Sequence, residues 1–333
     1  MQGEEICNRE DGKTAKGTRI MSETALRPGV AALSILGGMF ALGITDNFVP
    51  YISETGSLWQ FHMVRGILAV VLLLVAAGFG IGVIRPLSWR AVLGRSLFPA
   101  SAMLIYFGCL SVLPIGVVVA GLFTAPMFVL LMSVVFLGEC VGAVRICAVL
   151  LGFVGALLVI EPDPQALDPV SFLPIVAGML YAVGALVTRL WCANEGTIAL
   201  SAGFFGMLAV FGAIGLMFLP AGGPEGFDGF VLRGWVPLTG KMWFWISVQA
   251  VGSIIGIGLI FRGYLLGEAG YVAVFEYSLL VFASFWAWVL WGQTVGPLAL
   301  FGMILIAGAG AVITLRTDDA ISVRGVKVPE DDA

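Results

Sequence analysis

Among the ionisable side chains inside or at the edge of long apolar runs of this 333-residue chain, four are candidates for chemistry: Asp46, His62, Arg65 and Glu276. Such a group in a helix surrounded by hydrocarbon costs a few kcal/mol, so it faces a cavity or a partner. Glu276 is flanked at helical spacing by Ala273, Leu280, Ala283 and Ala287, which leave room beside its carboxylate. That room either admits a small molecule or lets a neighbouring helix approach closely. A carboxyl group there could carry a proton, or it could be a neutral acid bonded to a neighbouring backbone.

Asp46 precedes Pro50 by one helical turn, so the proline withdraws a donor from the Asp46 carbonyl. A carboxylate beside a freed carbonyl suits a proton, a cation or an ammonium group. The plainer alternative is an interfacial Asp reaching water. Arg65 presents a planar fork that fits a carboxylate; alternatively it snorkels outward or pairs with Asp46. His62, the single histidine, lies one turn before Arg65 on a similar face, as a titrating group or as a packing residue. Tyr277 is expected at a cavity, because its hydroxyl needs a partner. Pro126 frees the carbonyl of Leu122, which offers either a polar spot at membrane depth or an ordinary packing kink.

The elements that position these residues are ten apolar runs: approximately 30–50, 59–82, 92–113, 115–137, 143–160, 170–188, 197–220, 242–261, 270–291 and 297–315. Hydrophobic residues make up 59% of the chain and charged residues 11%, with a mean hydropathy of +1.03. A bilayer core needs about 20 apolar residues per helix, so each run is a membrane span. The one long connection, from Ala221 to Lys241, is rich in Gly, and Trp235, Trp243 and Trp245 lie in or just beyond it, as expected of an interfacial loop. The spacing Gly252/Gly256 and Gly152/Ala156 predicts close helix crossings. Five cysteines show no metal-ligand spacing and read as small packing residues.

Lysine and arginine collect on the cytoplasmic side of short loops. With the N-terminus inside, fourteen of the 17 basic residues fall in the cytoplasm, Arg95 and Arg145 among them. Arg233 and Lys241 face outward, and Arg65 lies within the second run. The first residues mix both charges without an apolar core, so they do not form a secretory signal. Translation from Met21 is an alternative to Met1.

Shifting the chain by 154 positions matches Gly116 with Gly270, Phe128 with Phe282, Gly138 with Gly292, Val141 with Val295 and Gly142 with Gly296. The shift lays run four on run nine and places Leu122 opposite Glu276. Five spans between equivalent points invert the second copy relative to the first, the organisation of secondary transporters built from inverted repeats.

Phe136-Leu137-Gly138-Glu139 at the end of run four, Phe275-Glu276-Tyr277 and Trp291-Gly292-Gln293 in run nine, and Gly-rich runs five and ten resemble the drug/metabolite transporter superfamily and its ten-helix EamA-like carriers. The resemblance spans about 30–315. Gln293 stands where that family repeats an acid, and Pro50 where near relatives carry Lys. The resemblance implies amino acids, their derivatives, nucleoside-like cofactors or drugs as substrates, with export favoured over uptake.

The expected fold is all-α and integral to the membrane, with ten transmembrane helices as two inverted five-helix repeats. The first repeat covers 29–162 and the second 168–316, between cytoplasmic tails at 1–28 and 317–333. No Walker loop, His-Glu-x-x-His, Cys pair or Gly-x-Ser-x-Gly is present, which argues against ATP-driven transport and catalysis. The expected activity is secondary transport of a small organic metabolite across the inner membrane by alternating access. A receptor or assembly factor, or a scramblase or membrane enzyme open to lipid, is the alternative class. Expected partners are a small-molecule substrate, the bilayer and a proton, with a homodimer as a possible assembly; a nucleic acid, metal or cofactor is not expected.

Overall fold

A computed structural model describes residues 27–109, 113, 115–138, 141–161, 169–224 and 229–323. Glu139 of the Leu-Gly-Glu signature, Cys7, Cys140, and the proposed tails before 27 and after 323 lie outside the described residues. Ten helices are long and apolar enough to cross a membrane. They are α1 (Pro28–Asp46), α2 (Leu58–Gly78), α3 (Trp89–Cys109), α4 (Ile115–Leu122 and Ala125–Leu137), α5 (Ala143–Ile160), α6 (Leu173–Cys192), α7 (Thr197–Phe218), α8 (Gly240–Leu266), α9 (Ala269–Val272, a 3-10 turn Ala273–Tyr277, and Ser278–Trp291) and α10 (Pro297–Val323).

The packing order displays the duplication. α1 packs on α8 and α9, α6 on α3 and α4, α2 on α7, α5 on α10, α3 on α7 and α2 on α8. Exchanging each helix for the one five places away turns this set of pairs into itself. The chain is therefore two inverted five-helix repeats around a pseudo-two-fold axis. Without a hydrophobic drive between helices in lipid, close backbone contact carries the packing. At the α1–α8 crossing, a Cβ on Gly38 would lie 2.8 Å from the Gly256 carbonyl oxygen, so the backbones touch only because both positions are glycine.

Four sequence expectations need correction. The first run does not continue through Pro50: α1 stops at Asp46, and Pro50 starts a separate short helix, Val49–Ser53, where its missing donor costs nothing. Run four is two helices, with Pro126 in the first turn of the second one. Run nine contains a 3-10 turn despite having neither Gly nor Pro between Ala273 and Tyr277. The last helix runs on to Val323, past the bound at 315.

Arg95 is a further correction. Assigned above to a cytoplasmic connection, it sits inside α3 and is 1% exposed. Its Nε donates to Thr188 Oγ1 at 2.7 Å, and its guanidinium lies 3.8 Å from the centre of the Phe261 ring. The long connection before α8 is anchored rather than loose. Leu58 N–H donates to the Phe230 carbonyl, Trp59 Nε1 to Val231 and Gln60 Nε2 to Val236. Arg233, expected to face outward, is itself buried and donates to the carbonyl of Gly56 at 2.6 Å.

Candidate functional site

The breaks in α4 and α9 are built alike. Thr124 Oγ1 donates to the Gly121 carbonyl at 2.6 Å, and Ser278 Oγ donates to the Phe275 carbonyl at 2.6 Å, residue for residue at the 154 shift. Phe123 and Tyr277, equivalent under the same shift, stack on each other with centroids 5.8 Å apart and planes 25° from parallel. Both helices end in a left-handed glycine, Gly138 at φ +64° and Gly292 at φ +65°. A Cβ is strained in that conformation, which is why glycine recurs there.

Beside these breaks lies a cavity of about 570 Å³, within the usual range for small-molecule sites. It runs from the exposed Pro50, Trp291 and Gln293 inward to the buried Phe204, Ile260 and Glu276. Asp46, Arg65, Glu276, Leu122 and Pro126 all line it, so residues from α1, α2, α4 and α9 meet in one space. His62 and Tyr277 do not line it. Tyr277 is instead fully buried between Phe123 and Gly152, where a Cβ would collide with its ring, and its hydroxyl has no partner among the described residues.

Glu276 is 6% exposed. Its Oε1 accepts from Tyr181 Oη of α6 at 2.9 Å and from Tyr264 Oη of α8 at 2.8 Å, and the residue lines the cavity. Hydrogen bonds to a charged acceptor contribute about 1.5–3 kcal/mol each, enough to hold the side chain in one orientation. The backbone-bonded neutral acid considered from sequence is replaced by a carboxyl held by two phenols.

Asp46 Oδ1 accepts from Gln249 Nε2 of α8 at 3.2 Å, and Ser253 Oγ donates to Gln249 Oε1 at 2.7 Å, fixing that amide. The anticipated Arg65–Asp46 contact pair does not form. The two groups face the same cavity without touching, and the ion pair among the described residues within bonding distance is Arg145–Glu268. Arg65 is 4% exposed; its Nη2 donates to His62 Nδ1 at 3.3 Å, and its guanidinium lies 4.5 Å from the centre of the Phe61 ring. Arginine can only donate, so His62 Nδ1 is the acceptor and the imidazole proton sits on Nε2. His62 thus orients Arg65 from outside the cavity.

The end of the bundle opposite Gln293 is closed by polar clasps between loops. Arg145 Nη2 at the start of α5 meets Glu268 Oε2, just before α9, at 2.5 Å. Glu195, between α6 and α7, accepts the backbone N–H groups of Leu87 and Ser88 at 2.9 and 2.7 Å. The cavity is therefore open to one face and sealed from the other. Tyr181, Tyr264, Gln249 and Ser253 went unremarked in the sequence; their only signal is a polar atom within an apolar run. No group of three or more His, Cys, Asp or Glu side chains suited to a metal occurs among the described residues.

A family model described as the EamA-like transporter family matches residues 29–161. The chain is 27% identical over 291 residues to a pseudopaline exporter of Pseudomonas aeruginosa, covering 85% of this chain and 95% of the relative. A riboflavin transporter of Brucella anthropi is 25% identical over 235 residues, 68% of this chain and 77% of that one. An S-adenosylmethionine uptake transporter of Rickettsia bellii is 21% identical over 227 residues, with coverages of 66% and 72%. A crystal structure superposes with a TM-score of 0.71 at 17% identity, covering 86% of this chain and 98% of the other, which supports the same fold.

Proposed function

The chain belongs to the drug/metabolite transporter superfamily as an EamA-like ten-helix carrier, and on that premise we propose that it moves a small organic metabolite across the inner membrane by alternating access. The observation that carries this reading is the cavity at the paired helix breaks, which runs from the exposed Gln293 to the buried Glu276. Interrupted helices at the interface of inverted repeats are where such carriers bind substrate.

The basic residues favour cytoplasmic termini, which makes the open face the outer one and the Arg145–Glu268 clasp cytoplasmic. Export is the favoured direction, because the relative matched over 95% of its length is named an exporter. Amino acids, their derivatives and related compounds are the favoured cargo. Glu276 is the favoured proton carrier, since it lines the cavity and two phenols hold it in place; Asp46 is the second candidate.

A thermal-shift screen of the purified protein against metabolites identifies a ligand, and its flux is then followed in proteoliposomes with and without a pH gradient. Gradient-dependent accumulation by the wild-type protein is expected. Ligand binding without any flux would contradict the carrier reading and favour a receptor.

A further inference from the structure

An arginine buried in apolar surroundings is tolerated only when its charge and donors are answered. At Arg65 the answer within the chain is incomplete. Nη2 is taken by His62 and the face by Phe61, but Nε is buried without a partner among the described residues. Among the described residues no carboxylate lies within ion-pair distance of it, although Asp46 lines the same cavity. The guanidinium lines the cavity, with Tyr106, Phe107 and Phe205 as neighbours in the wall.

Asp46 shows the complementary deficit. Gln249 occupies Oδ1, the side chain lines the same cavity, and no further donor to it is found among the described residues. Two opposite charges therefore face one apolar-walled space, each oriented by a neighbour and neither touching the other. A direct Arg65–Asp46 pair would have neutralised the site and filled it; the separation leaves both groups available to a molecule carrying both signs.

Resting on the carrier reading above, we propose that Arg65 and Asp46 form a zwitterion site: the Arg65 fork takes the carboxylate of an amino-acid-like substrate, and Asp46 takes its ammonium group. The apolar remainder of the substrate lies along Phe107, Phe204 and Phe205. His62 is a positioning residue, acting through Arg65 by the Nδ1 contact. A fork held by a ring face and an imidazole is already oriented, so little rotamer freedom is lost when a carboxylate arrives.

The probes are L-leucine and L-phenylalanine, each compared with the matched amine (isoamylamine, phenethylamine) and the matched acid (4-methylpentanoate, 3-phenylpropionate). Binding is read by thermal shift and calorimetry on the full chain in lipid nanodiscs. For the wild type, the amino acids are expected to bind about tenfold or more tightly than either single-charge analogue, as befits charge-assisted hydrogen bonds. Arg65→Gln should erase the advantage over the amine, Arg65→Lys should keep part of it, and Asp46→Asn should erase the advantage over the acid.

Equal binding of amine and amino acid by the wild type overturns the proposal, as does a folded Arg65→Gln protein with unchanged preference. Absence of binding by every amino acid up to tens of millimolar overturns it too. If Arg65→Gln does not fold, the wild-type comparison and Asp46→Asn decide alone. A cysteine at Ala283, which lines the cavity, separates this from the carrier reading. In a cysteine-free background it should react with an impermeant maleimide and be protected by amino acids. Labelling without protection sinks the zwitterion site alone, whereas a cavity unreactive from both sides sinks the carrier reading.

Discussion

At the break in α4 the chain places Leu122, and at the matching break in α9 it places Glu276, although the two breaks share hydroxyl-to-carbonyl bonds, a stacked aromatic pair and left-handed glycine caps. Duplicated backbone geometry is retained because it depends on local bonds that each copy makes within itself. The side chain at the break depends on what faces it across the cavity, and there the copies differ. Glu276 finds Tyr181 and Tyr264. Leu122 finds Gly178 of α6, at which a Cβ would lie 3.0 Å from the Leu122 carbonyl oxygen. One repeat thus contributes a close backbone contact and the other a titratable group. On the proposed reading, a symmetrical frame rocks about its axis while only one half carries the proton.

The largest effect is expected where the copies differ. Glu276→Gln should lower pH-driven flux about a hundredfold, corresponding to roughly 2.7 kcal/mol, and leave counterflow of bound ligand less affected. Adding Leu122→Glu to that variant should not restore the gradient-driven flux, because Tyr181 and Tyr264 face only the α9 break. Restoration would mean that the two breaks are chemically interchangeable. Full rate and pH dependence in Glu276→Gln would remove this carboxyl from the mechanism.

A smaller effect is expected where the copies agree. Gly138→Ala and Gly292→Ala should each destabilise by about 1–2 kcal/mol, the cost of a Cβ in the left-handed region, seen as similar falls in thermal unfolding temperature. Lying at opposite faces, the two should add within about 0.5 kcal/mol. Strongly unequal losses would break the claim of a common frame.

The smallest effects concern the hydroxyl bonds. Thr124→Val and Ser278→Ala should each cost about 0.5–1.5 kcal/mol in unfolding experiments. A loss of flux in one but not the other, at matched stability, would show that one break has a hinge role its twin lacks.

Much of this arrangement is legible in the chain because its causes are local. Run length sets the ten spans, Gly138 and Gly292 mark the paired caps, and Asp46, Arg65 and Glu276 are conspicuous as ionisable groups among apolar residues. The partners are not legible, since they arise from packing between distant elements. Tyr181 meets Glu276 across 95 residues and Gln249 meets Asp46 across 203. A hydroxyl's need for a partner misleads at α9: Tyr277, expected at the cavity on that ground, packs its ring between Phe123 and Gly152 instead, whereas the helical spacing holds, since Leu280 and Ala283 line the cavity with Glu276. Arg95 hides because only a buried acceptor such as Thr188 reveals that it lies within the bundle.

Opening and closing of the sealed end tests the carrier account most directly. Cysteines replacing Arg145 and Glu268 in a cysteine-free protein can be joined by a short reducible bis-thiosulfonate. Flux of the ligand found by screening should stop on cross-linking and return on reduction, while the cavity stays reactive from the open face throughout. Undiminished flux through the fully cross-linked protein would contradict alternating access at this cavity.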